Sequence, residues 1–119
     1  MKTCSWHRAG AIAGRVGICR GTPRGAPAGY RMCRTIAPTR EMLALPPGEF
    51  EPAYQALLDQ LDAAEVWREI HEFAGPNEPI ILCFEADRRD CHRLQVARWF
   101  ERELGLVVDE LGAEELAPA

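Results

Sequence analysis

ILCFEADRRDCHRLQVARWF, residues 81–100, decides the fold. It begins inside the continuous apolar run PIILCFE, residues 79–85, which is of strand length and shows no polar alternation. Such a run suits a parallel strand buried on both faces. The stretch ends in a helical pattern over residues 91–104, with Leu94, Ala97, Phe100 and Leu104 on one face. Asp90 stands where an N-cap is needed and Gly105 where the helix must stop.

Outward from this core, residues 51–74 also read as helix. Tyr54, Leu57, Leu58 and Leu61 recur at helical spacing, as do Val66, Ile70 and Phe73, with a break expected near Asp62. Gly75, Pro76 and Pro79 end that segment. GRVGIC, residues 14–19, reads as a short strand through Val16 and Ile18, and LVVDEL, residues 106–111, as another. Between residues 20 and 50 nine positions are Gly or Pro, so most of this basic segment is expected to be loop. A loop of that length in a small domain is either functional or mobile. Residues 111–119 are expected to be a flexible tail. The order predicts one small α/β domain over residues 1–119, Rossmann-like, with a mainly parallel sheet of three to four strands and flanking helices.

The chain has 119 residues and a formal net charge of −4. Its charge is unevenly spread. Residues 1–40 hold eight basic residues and no acid, while all 18 acids lie beyond them. The overall acidity argues against a general nucleic-acid binder, yet the basic third leaves room for a local anion site. No apolar stretch approaches a membrane span, and the N-terminus lacks the apolar run of a signal peptide. The expected location is cytoplasmic. The five cysteines form no C-x-x-C pair, and in a reducing compartment most should be free thiols.

The chemistry gathers in the loop after the buried strand. In an open α/β sheet, sites collect at the carboxyl ends of strands. A helix beginning after Asp90 would put Cys91, His92 and Arg93 in its first turn, where free N–H groups favour an anion and lower a thiol pKa. Cys83 ends the preceding strand, close enough in sequence to form a disulfide with Cys91 if the geometry allows. Each of these residues also has an ordinary reading: Cys83 as a small core side chain, His92 and Glu85 as surface polars, Arg93 as a partner of a nearby acid.

Three mechanisms compete. Cys83 to Arg89 fits C-x5-R, the loop of cysteine phosphatases and sulfurtransferases, but Glu85 and Asp87 would repel an oxyanion there. Zinc could use Cys83, Cys91 and His92, but adjacent helical positions point about 100° apart, which strains a shared ion. No metal is therefore assigned, and no cofactor can be named. An anion or nucleotide site needs no unusual geometry and leads.

Taken together, VGICRGTP, IAP, ILCFE, CHR and ARWF resemble the domain of unknown function 488 family. The matching positions are Cys19-Arg20, Ile36-Ala37-Pro38, Leu82-Cys83-Phe84-Glu85 and Cys91-His92-Arg93, within roughly residues 12–110. Cys19 stands where the family often has serine, and TCSWHR matches its aromatic N-terminal segment only in part. The resemblance implies a Rossmann-like α/β fold and no particular activity. It also implies a site: Arg20, Cys83, Glu85, Cys91, His92 and Arg93 converging at the carboxyl edge of the sheet. In that expectation Arg20 and Arg93 hold an anion, Cys91 is the nucleophile or redox thiol, His92 the acid/base and Glu85 an orienting or basic group. The expected partner is a small anionic or nucleotide ligand. The competing expectations are a non-catalytic nucleotide or nucleic-acid-binding module, and an interaction domain with no ligand.

Overall fold

The computed structural model describes residues 1–112. Four strands, β1 (Lys2–Ser5), β2 (Arg15–Gly17), β3 (Arg31–Met32) and β4 (Ile80–Cys83), form one sheet in the order β1–β4–β2–β3. All three pairings are parallel. The apolar run behaves as expected: every residue of β4 is buried between β1 and β2. Its register sets Cys4 opposite Leu82 and Ser5 opposite Cys83 on one side, and Gly17 opposite Leu82 on the other.

The two faces of the sheet are covered differently. Besides the four-residue α1 (Trp6–Ala9) and α2 (Arg40–Leu43), there are three longer helices, α3 (Phe50–Asp59), α4 (Ala63–Ala74) and α5 (His92–Leu104). These three bury Tyr54, Leu58, Val66, Ile70, Val96 and Phe100 against Val16, Ile18 and Ile81 on one face. The break expected near Asp62 is real: its carboxylate accepts from the N–H groups of Ala64 and Glu65 and caps α4. The opposite face, carrying Cys4, Cys19, Ile80 and Leu82, is covered by Trp6, Ala9, Tyr30 of the preceding loop and Met32 of β3. Gly17 is what permits this. A Cβ there would lie 2.5 Å from Met32 Sδ and 2.6 Å from Trp6 Cζ2, so the glycine lets both side chains pack close against the sheet.

Several expectations need correction. β1 is a strand that the local sequence pattern does not show. It is buried because it pairs with β4, although KTCS has no strand pattern of its own. Residues 20–50 are mostly loop, and within them lie β3, a 3-10 turn (Arg34–Ile36) and α2. LVVDEL makes only a single parallel bridge, Glu110 beside Thr3, with Leu111 N–H donating to the Thr3 carbonyl. Leu111 is buried and so is not tail; residues 113–119 of the expected tail lie outside the described residues. Cys91, not Asp90, holds the N-cap position of α5, while Gly105 ends it in the left-handed conformation as expected. On α5 the fully buried face includes Val96 and Trp99, and Leu94 and Leu104 are only half-buried.

Arg15, counted in the basic third, is a structural residue. It is buried and donates to the carbonyls of Ile12, Pro27 and Ala28 at 2.8, 2.8 and 2.5 Å. It ties the Gly/Pro-rich loop back onto β2.

Candidate functional site

The carboxyl ends of β4 and β2 lie side by side, so Cys83 and the Cys19-Arg20 pair reach the same edge. There a cavity of about 670 Å³ opens, lined among others by Arg20, Cys83, Glu85, Cys91 and His92. That is within the usual range for a small-molecule site. The opposite wall comes from α3 and α5, through Glu51, Gln55, Gln95, Arg98 and Arg102. These wall residues were not singled out from sequence. Their signal was the polar Gln95–Arg98–Arg102 ridge, one face of the helix that starts at His92.

Cys83 and Cys91 are joined in a disulfide. Cys4, Cys19 and Cys33 are free, so the expectation of mostly free thiols fails for the one pair at the cavity. Cys83 is 3% exposed, whereas Cys91 is half-buried and offers the more accessible sulfur. Cys91 is extended (φ −137°, ψ 149°), and its side chain makes no cap hydrogen bond. This removes the angular objection to a shared ion. Cys91 lies outside the helix, so its side chain and that of His92 can turn to the same point.

His92 is fixed on three sides. Its Nε2 lies 2.9 Å from the carbonyl oxygen of Ile18, which can only accept, so Nε2 carries the proton. Nδ1 is then a bare lone pair, 3.2 Å from Cys83 Sγ and 3.8 Å from Cys91 Sγ. The ring meets Tyr54 edge-on at 5.2 Å and Phe50 at 6.2 Å. Burial pushes the imidazole below its ordinary pKa, and the nearby Arg93 charge adds to this, against the opposing pull of the Ile18 hydrogen bond. The ring is therefore neutral near pH 7.

This has a consequence for stability. The folded pKa lies below the unfolded value of about 6.5, so the unfolded chain takes up the proton first as pH falls. The stability held by neutral His92 is complete above pH ~6.5 and is lost as pH falls from there through the folded value. The urea midpoint should decline between pH 7.5 and 5, and His92→Gln should flatten that decline; an unchanged slope in the variant would refute the assignment.

The remaining expected residues divide. Arg20 and Glu85 are exposed at the cavity, and neither side chain has a protein partner among the described residues. Arg93 is elsewhere. Its guanidinium is fully buried and bonded to both Glu110 oxygens (3.1 and 2.8 Å) and to the carbonyls of Glu85 and Ala86. It holds the loop after β4 rather than facing the cavity. Arg89, the last residue of C-x5-R, is held by Asp87, whose carboxyl it lowers to about 2.

The other thiols are not activated. Burial raises Cys19, which lines the cavity but accepts from Trp6 Nε1 at 3.2 Å. Burial, then the charge of Glu69, pushes Cys33 up to about 12.

A small all-parallel α/β domain with a cysteine pair and a histidine at its carboxyl edge is thus the class that fold and site define. The model of the family described as domain of unknown function DUF488 matches residues 22–100. The chain belongs to that family. The matched span includes Ile36-Ala37-Pro38, Leu82 to Glu85 and Cys91-His92-Arg93, and begins just after Cys19-Arg20. No curated protein and no solved structure matches the chain. No helix among the described residues is long and apolar enough to cross a membrane.

Proposed function

We propose that the cavity is a thiol–disulfide exchange site for a small anionic thiol. The observation that carries this is the Cys83–Cys91 disulfide on the cavity wall, with its more accessible sulfur at the N-cap of α5. An incoming thiolate attacks Cys91 Sγ and forms a mixed disulfide there. The electron pair of the broken S–S bond goes to Cys83 Sγ, which takes a proton from solvent. Its S–H then donates to the Nδ1 lone pair of His92, 3.2 Å away. A second substrate thiolate attacks the substrate sulfur of the mixed disulfide and expels the Cys91 thiolate, which the N-terminal N–H groups of α5 stabilise. The balance is one protein disulfide and two thiols giving one protein dithiol and one small disulfide.

Arg20 supplies the attraction for the anionic part of the substrate. An exposed ion contact of this kind contributes about 1 kcal/mol or less. Arg20→Ala should therefore slow exchange with glutathione up to about fivefold and leave exchange with uncharged 2-mercaptoethanol unchanged. Equal effects on both thiols would remove Arg20 from the site. Glu85, on the same cavity, suits the ammonium group of an amino-acid-like thiol.

A second reading keeps the cavity as a non-catalytic nucleotide or nucleic-acid site. It is favoured by Arg20, Arg24, Arg31, Arg34 and Arg40, all of them exposed. It requires oligonucleotide binding that weakens steeply with salt; no binding at low salt would end it.

A further inference from the structure

We propose that in the reduced protein Cys83, Cys91 and His92 form a zinc site with its fourth position open to the cavity. The inference uses the same two thiols as the exchange reading but does not depend on that reading. Attack by an external thiol is a property of the disulfide, and metal capture one of the dithiol.

The geometry carries it. The ligating atoms of the three residues all lie within 4.8 Å of one another. A tetrahedral zinc with Zn–S of about 2.3 Å and Zn–N of about 2.0 Å sets S···N near ~3.5 Å and S···S near ~3.8 Å. The two S···N distances here, 3.2 and 3.8 Å, bracket the first of these. Once the S–S bond is reduced, only the two sulfurs must separate, and Cys91 sits on extended backbone ahead of the helix, free of the helical repeat.

The outer contacts suit a metal-bound imidazole as well. A ligating histidine commonly donates its other ring N–H to a carbonyl or carboxylate, which fixes tautomer and orientation. Nε2 of His92 does this toward Ile18, while Tyr54 and Phe50 hold the ring. Nδ1 is left facing only the two sulfurs. Two thiolates cancel the charge of the dication, so a neutral centre forms at a largely buried point. Three protein ligands and one position open to a cavity is the pattern of zinc sites that take water or substrate, rather than of closed structural sites.

The chemistry balances. A dithiol or phosphine reductant supplies two electrons, with two protons from water, to open the disulfide; binding Zn²⁺ then displaces the two thiol protons. Oxidation back to the disulfide removes both thiolate ligands, so metal is held only by the reduced protein.

The test is anaerobic titration with Co²⁺ of protein reduced and freed of reductant. The expected result is one ion per chain, with a thiolate-to-cobalt charge-transfer band and the intense visible bands of a tetrahedral site, displaced by one equivalent of Zn²⁺. The disulfide form should show neither. Cys91→Ser should lose the charge-transfer intensity of one thiolate and weaken binding at least tenfold. Serine is a favoured N-cap, so this variant should fold, and circular dichroism checks that it does. Cys33→Ala, a free thiol outside the cavity lining, should bind as wild type. A reduced wild type without the band would overturn the proposal, and so would a band of equal strength in folded Cys91→Ser. Either failure leaves the exchange reading to be judged by its own mixed disulfide, trapped in metal-free buffer.

Discussion

Glu110→Leu should destabilise the fold by about 3 kcal/mol, near the low end of what breaking a buried ion pair costs. The reason is Arg93, not Glu110. Its guanidinium is fully buried, and without the carboxylate its charge would face only the carbonyls of Glu85 and Ala86. Glu110 itself is 22% exposed, so water can enter the vacated space, which keeps the expected loss at the low end. Thr3 would lose its acceptor at the same time. Glu110→Gln keeps one accepting oxygen but loses the charge and the second acceptor that Arg93 uses, so it should cost less than Glu110→Leu and still be clearly destabilising. Urea denaturation measures both.

The pH dependence should agree. Burial raises the Glu110 carboxyl, but the hydrogen bonds from Arg93 and Thr3 and the charges of Arg93 and Arg88 outweigh it and hold the group below its ordinary value. Its stabilising contribution is therefore present above the unfolded value of about 4.5 and lost as pH falls through the lower folded value. Glu110→Leu should remove that acid-side loss. A variant within 1 kcal/mol of wild type, with an unchanged acid limb, would show that Arg93 does not depend on this partner.

Cys91→Ser should reduce exchange with small thiols to the background of the buffer. Two effects separate in this variant. Opening the short Cys83–Cys91 loop should lower stability by about 2–3 kcal/mol on chain-entropy grounds, an effect that chemical reduction of the wild type reproduces. The loss of exchange is not reproduced by reduction, because the wild-type dithiol still returns to the disulfide with an oxidised small thiol. Cys33→Ala, outside the cavity lining and with no activated thiol to lose, should leave exchange intact. Exchange surviving in Cys91→Ser would move the chemistry to another thiol.

The strand at residues 80–83 and the helices on either side were legible because their patterns are local. Four successive buried apolar residues, and apolar side chains at three- and four-residue spacing, appear in any window along the chain. Asp62 was legible as a break because a cap uses only its own next turn. β1 was not legible. Thr3 and Ser5 are buried by pairing with a strand almost eighty residues away, and the segment itself says nothing of that partner. Cys91 shows how a small misplacement at a helix end changes the chemistry. Placed inside the helix, it diverges from His92 and argues against a metal; one position outside, it converges with His92 on Cys83. Arg93 and Arg20 look alike in sequence, as two arginines within two residues of a cysteine. Only the tertiary position of Glu110 separates the buried one from the one left facing the cavity.

The most direct measurement of the exchange reading is the site of the mixed disulfide. The oxidised protein is treated with glutathione, quenched in acid, digested and analysed by mass spectrometry. Glutathione is expected on Cys91, with Cys83 as free thiol, and its addition should slow as salt screens Arg20. Glutathione found on Cys83 with Cys91 free, or a Cys83–Cys91 bond that glutathione never opens in the folded protein, would contradict it.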